Sequence, residues 1–175
     1  MTKYFGTTKR KVMLVLGVAL VLFISWYTIS ANSETRTSRA FRAMPDGSVQ
    51  VVNDHGDTIT LQLKIADTPD ARSANFKNTG VQTIQENAVL LVYRTDSSER
   101  HNVRTVKAPL EIGFFRADGS LAHISRTRVG SNTSYGTTGA ANRYRYALMA
   151  PQGYFAKHSI SIDGGAVLLP DTLRR

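Results

Sequence analysis

Thr58–Ala66 (TITLQLKIA) decides the fold. Ile59, Leu61, Leu63 and Ile65 alternate with Thr60, Gln62 and Lys64. A chain with a period of two puts the first set on one face and the second on the other, so the stretch predicts a half-buried strand. Just upstream, Asp54-His55-Gly56-Asp57 has the Gly and Asp residues of a tight turn, so Ser48–Asn53 is expected to pair with it as a hairpin.

Downstream, Thr68-Pro69-Asp70 reads as a helix start. Thr68 is the N-cap, Pro69 takes the first helical position and Asp70 lies near the positive end of the dipole; the helix is expected to end near Asn78 to Gly80. Ala88–Tyr93 (AVLLVY) suits a buried strand and Asp96–Glu99 a polar turn. Leu110–Phe115 (LEIGFF) leads to Asp118-Gly119, a hairpin signal, with Leu121–Ser125 returning beside it. Arg128–Asn142, rich in Gly, Ser and Thr and lacking apolar period, predicts a long exposed loop. Arg143–Met149 (RYRYALM) predicts a strand with Tyr144, Tyr146 and Leu148 inward and Arg143 and Arg145 outward. Pro151–His158 can form one helical turn, and Ala166–Leu169 a final strand.

The N-terminus is of a different kind. Val12–Ile29 holds no charged residue, and the first acid is Glu34. At a rise of 1.5 Å per residue this stretch reaches roughly 27 Å, close to the hydrocarbon thickness of a bilayer. Lys9, Arg10 and Lys11 precede it and Trp26 and Tyr27 mark its far interface, so the C-terminal part is expected outside the cytoplasm. A cleavable signal ending at Ser30 is the alternative, disfavoured by those two bulky rings at the processing region. The expected organisation is a basic cytoplasmic tail over 1–11, a transmembrane signal anchor over 12–30, a polar tether over 31–46 and an exported β-rich domain over 47–175. The fold class is mostly β (α+β), a compact antiparallel β domain with one or two short helices.

The formal charge is +9, and from Ala31 onward 18 Lys and Arg face 13 Asp and Glu. Such a spread-out excess suits anionic headgroups or an acidic protein better than nucleic acid. The absence of cysteine excludes disulfides, iron–sulfur ligation, thiol catalysis and a lipidated cysteine. His55, His101, His123 and His158 lack metal-ligand spacing, and no G-x-S-x-G or phosphate-cradling glycine run occurs. No cofactor, metal or nucleic-acid partner is expected. The alternating Arg143-Tyr144-Arg145-Tyr146 is explained by strand period, although Arg126, Arg128, Arg143 and Arg145 flank one loop and would suit an acidic partner or anionic lipid.

The order of these pieces resembles the domain of unknown function 192 family over about Val49 to Leu169. The resemblance rests on Ala66-Asp67-Thr68-Pro69 with Arg72 following; on Pro109–Gly119 (PLEIGFFRADG); and on Arg145-Tyr146, then, six residues on, Gly153–Ile160 (GYFAKHSI). It implies a compact, mostly antiparallel β fold with one or two short helices and little about activity. The family usually carries G-L-M-F-R in its helix and F-W-M-K-N-T ahead of the proline. Here Arg72–Lys77 and Asn102–Val106 stand instead, with Arg104 at the lysine position and Glu111 where an aspartate is usual. If that cluster lines a ligand site in the family, this member has lost or changed the ligand.

The first functional expectation is a non-enzymatic accessory protein, a small subunit associating with a larger integral-membrane complex and with membrane lipids. Gly17 and Ala19 would allow close helix packing. The second is a periplasmic binding module for a small anionic or saccharide ligand, using Arg104, Glu111 and the loop Arg128–Asn142. Glu111 lies between apolar strand residues; an ordinary solvated strand face is its expected setting, with Arg104, Lys107 or Arg145 as its partner under the binding reading. An enzyme ranks third.

Overall fold

The structure is a computed structural model that describes residues 17–23, 25, 36–137 and 143–174. The domain is mostly β. Its strands are β1 (Asp46–Val52), β2 (Thr58–Ala66), β3 (Val89–Ser97), β4 (His101–Asn102), β5 (Leu110–Phe115), β6 (Leu121–Arg126), β7 (Ser134–Tyr135), β8 (Tyr144–Pro151) and β9 (Val167–Arg174). Its short helices are α1 (Arg39–Ala43), α2 (Pro69–Ala74), α3 (Val81–Glu86) and α4 (Tyr154–Lys157). Seven strands form one sheet in the order β6-β5-β8-β3-β2-β1-β9, and β4 with β7 forms a separate ribbon.

The sheet curls until its edges meet. Ser120, in the turn before β6, bridges Val167 at the start of β9, and the Leu168 amide donates to the Gly119 carbonyl oxygen at 2.9 Å. Gly119 permits this closure. Its φ is +85°, and a Cβ there would collide with the Leu168 carbonyl, so no other residue fits without moving β9.

Closure divides the apolar residues into two cores. The inner one gathers Val49 and Val51, Leu61, Leu63 and Ile65, Leu90, Phe115, Leu148 and Leu168, with Phe155 of α4 filling it from one end. Gly113 leaves room for the Phe155 ring, which a Cβ would meet at 2.6 Å. The outer core lies on the opposite face of β3, β5 and β8, where Leu91, Ile112, Phe114 and Met149 are covered by Phe41, Phe76, Ile84, Val103 and Val106. The alternation read at Thr58–Ala66 is the inner-core face of β2, and the apolar first half of β3 and the wholly buried β5, which includes Glu111, reflect burial on both faces.

Several expectations are corrected. Pairing is antiparallel except between β2 and β3, which run parallel with Lys64 opposite Val89 and Ala66 opposite Leu91. The parallel step needs a crossover, and α2 and α3 supply it. Thr68 caps α2 as expected, its hydroxyl accepting from the Ala71 amide at 3.2 Å. The helix stops at Ala74, however, where Asn75 turns to φ +31°, and α3 starts a second time from Gly80. The β domain thus carries four short helices among the described residues, where one or two were expected.

The predicted tether over 31–46 is folded from Arg39 on. Ser38 caps α1, whose Phe41, 2 % exposed, stacks on Phe76 with ring centroids 5.6 Å apart. Within the predicted loop Arg128–Asn142, β7 pairs with β4; residues 138–142 lie outside the described residues. In β8, Tyr144 joins the outer core while Tyr146 and Leu148 pack toward the inner one. A bulge between Val92 and Ser97 of β3 displaces the register there and breaks the expected alternation. The predicted span over 12–30 falls largely outside the described residues, and no helix among those described is long and apolar enough to cross a membrane.

Phe41→Ala separates a folded segment from a tether. Loss of a fully buried phenylalanine is expected to lower unfolding stability by about 3 kcal/mol, read by chemical denaturation of the full chain; a tether residue would change it by less than about 0.5 kcal/mol.

Candidate functional site

Glu111 is the candidate residue that the fold treats most unusually. It is the second residue of β5 and is 4 % exposed, not on the solvated face expected, and its burial requires partners. The β5–β6 hairpin supplies one: Arg126 stands directly across the ladder, and its Nε donates to Glu111 Oε1 at 3.2 Å. The other carboxylate oxygen accepts from the Phe155 amide at 3.3 Å. Glu111 therefore ties α4 to the sheet wall.

A groove of about 300 Å³ opens beside this pair, with Asp54, His55, Ile124, Ser159 and Ser161 along its sides. Asp54 is also engaged in the fold, its Oδ1 accepting from the Ser161 amide at 2.9 Å. The groove thus sets one exposed guanidinium, Arg126, against two carboxylates, an arrangement unsuited to an anion.

The other expected site residues are not brought to this place. Arg104 and Lys107 are exposed on the segment between β4 and β5, and neither lines the groove. Arg128 and Arg143 are exposed as well, without a salt bridge among the described residues. Arg145 pairs with Asp96 at 2.8 Å, not with Glu111. Gly17 and Ala19 lie in the helical residues 17–23 and belong to neither core of the domain. The Glu111–Arg126 contact was nonetheless within reach of the sequence: Glu111 stands seven residues before Asp118 and Arg126 seven after Gly119, so a two-residue turn at Asp118-Gly119 sets them opposite.

A second polar cluster, not foreseen as a site, sits at the outer core. Tyr144, fully buried, donates its hydroxyl to the Glu99 carbonyl oxygen at 2.6 Å. His101 Nε2 lies 2.9 Å from the same phenolic oxygen. With the tyrosine proton committed to Glu99, the histidine is the donor, which fixes the tautomer protonated on Nε2. The His101 ring also stacks on Phe114, centroids 6.0 Å apart. Burial pushes its pKa down to about 4, against the smaller upward pull of Glu99 and with Lys77 adding to the fall. No periodicity announces this cluster, because its members come from β8, the β3–β4 connection and β4.

The architecture is that of a small closed β domain with helices and a short ribbon packed on one outer face. The chain belongs to the DUF192 family, uncharacterized ACR, whose sequence profile matches residues 50–166. No curated protein matches the chain. Among solved structures it is similar to a proposed transcription regulator from Sinorhizobium meliloti 1021, with 17 % identity, a TM-score of 0.62, and coverage of 72 % of this chain and 94 % of the other. It is also similar to a protein of unknown function from Novosphingobium aromaticivorans DSM 12444, at 16 % identity and a TM-score of 0.58, covering 77 % of this chain and 99 % of the other. At these identities the likeness is one of fold.

The buried histidine sets an acid dependence. The unfolded chain protonates His101 near the ordinary value of about 6.5, whereas the folded one does so only near 4. Between those values the unfolded state binds more protons, so stability is full above pH 6.5 and is lost as pH falls toward 4, by about 3 kcal/mol. His158, whose pKa is also lowered by burial and by Lys157, acts in the same sense. Denaturation midpoints measured across that window should fall in the wild type and fall much less in His101→Gln.

Proposed function

We propose that the protein is a membrane-tethered, non-enzymatic accessory protein. Its N-terminal segment holds it in the inner membrane with the β domain in the periplasm, and both associate with a larger integral-membrane complex. The observation that carries this reading is the helical run Gly17–Phe23, none of whose side chains is polar and in which Val18, Leu20, Val21, Leu22 and Phe23 are 51–65 % exposed. At 3.6 residues per turn these side chains surround the helix on all sides, and a helix apolar all round is covered either by a protein core or by lipid.

The β domain does not provide that cover, since no residue of the run belongs to either of its two cores. Lipid and a neighbouring helix do so at once, with Gly17 admitting a close approach because nothing stands within 4 Å of where its Cβ would be. Lys9, Arg10 and Lys11 on the preceding flank favour a cytoplasmic N-terminus. The folded domain includes Ser38, eight residues beyond the proposed span, so it stays close to the bilayer. The exposed Arg36, Arg39 and Arg42 then stand beside headgroups or the extramembrane surface of a partner.

Gentle solubilisation of native membranes followed by size separation of intact assemblies tests this. The protein is expected to co-migrate with a large integral-membrane complex over successive steps, and replacing 12–30 by an unrelated apolar span is expected to release it. Migration alone, near its own 19.3 kDa plus detergent, would overturn the reading.

A further inference from the structure

A second open cleft, of about 380 Å³, lies between the start of α2 and the C-terminal half of β3, walled by Arg72, Arg94, Asp96, Ser97 and Glu99 around Tyr93. Its volume falls at the lower end of the roughly 300–1,000 Å³ typical of small-molecule sites. Tyr93 is 7 % exposed, and its hydroxyl is buried without a hydrogen-bond partner. Such a group is desolvated without compensation, and buried polar atoms nearly always find a partner.

No neighbour meets it in good hydrogen-bond geometry, although the Tyr144 and Glu99 side chains lie within its reach. Tyr144, its ring 5.4 Å from that of Tyr93 and perpendicular to it, has its own oxygen engaged by Glu99 and His101. Tyr144 and Glu99 both stand near enough to the phenol to join burial in holding its pKa far above the ordinary value, so it remains an O–H donor throughout. Of the two, Glu99 has an exposed side chain that can swing aside.

Arg72 lies over the ring, its guanidinium carbon 4.5 Å from the centroid. Nη1 is fixed by the Asp67 and Val92 carbonyl oxygens at 2.8 and 3.0 Å, while Nε and Nη2 make no hydrogen bond to a described residue. An arginine fixed at one nitrogen and open at the others is a preorganised donor fork. The lining is nearly balanced in charge: Arg72 and Arg94 face Asp67 and Glu99, and Asp96 is paired to Arg145, which lies outside the lining. An anion would meet the carboxylates and a cation the guanidiniums. A molecule carrying many hydroxyls and no charge meets a donor and an acceptor on every side.

The geometry points to this cleft as a binding site for a neutral, polyhydroxylated ligand, a saccharide segment whose hydroxyls are gripped by Arg72, Ser97 and Glu99 and reach the idle Tyr93 hydroxyl. The site lies apart from the Glu111 groove and does not depend on membrane association or on a partner complex.

Saturation-transfer NMR on the full chain in sugar-free lipid nanodiscs tests it, with chitotetraose and maltotetraose as neutral probes and tetragalacturonate as the anionic one. Transfer is expected to at least one neutral tetrasaccharide and not to tetragalacturonate. Tyr93→Phe, which removes only the unpartnered hydroxyl, is expected to weaken binding about fivefold while leaving the melting temperature unchanged or raised, an outcome a purely structural tyrosine would not give. Glu99→Gln, at an exposed position, should weaken binding without affecting folding. Absence of transfer to both neutral probes at millimolar concentration, preference for tetragalacturonate, or wild-type binding by both variants would each overturn the assignment.

Discussion

Strand β8 satisfies two ladders and two cores at once. It pairs with β3 on one side and β5 on the other, and Ala147, Leu148, Met149 and Ala150 are fully buried. No polar side chain can be placed there without a partner, and neither neighbour can shift without exposing apolar surface on both faces. The remaining elements are arranged around this constraint. The inner face is closed by curling β1, β2, β6 and β9 around it; the outer face is closed by α1, α2, α3 and the β4–β7 ribbon.

The polar features follow from the same arrangement. A sheet buried on both faces has few places for charge, and those it keeps are tied down. Glu111 enters the wall of β5 only with Arg126 across the ladder and the Phe155 amide above it. His101 enters the outer core only as the neutral donor to Tyr144. Tyr93 and Arg72 keep spare hydrogen-bonding capacity where a bulge interrupts the β3–β8 ladder, beside an open cleft.

Much of the inner core was legible in the sequence because strands that bury one face advertise themselves by alternation, as Ile59, Leu61, Leu63 and Ile65 do. The β5–β6 turn was equally plain, since Asp118-Gly119 is a local signal, and the family resemblance rested on the same segments. The outer core was less legible. Phe41 and Met44 are lone apolar residues among arginines, serines and threonines, and α3 buries only Ile84, so no period marks either helix. The faces of Tyr144 and Tyr146 depend on a bulge in β3, far away in sequence. Of the candidate site, the Glu111 pairing was computable from the turn, whereas the Tyr93 cleft depends on α2, β3 and the chain around Glu99 meeting through the parallel crossover.

The pairing of β1 with β9 has a consequence for how the chain is made. The first strand to emerge has its outer edge covered by the last, with Val51 opposite Leu168 and Thr172 Oγ1 accepting from the Gln50 amide at 2.8 Å. Until that final segment is available, β1 presents an unpaired edge of the kind that recruits other chains. The sheet therefore cannot close progressively: a domain lacking Val167–Arg174 keeps most of its core and lacks its seal, so the docking of β9 is a single late event in forming the domain.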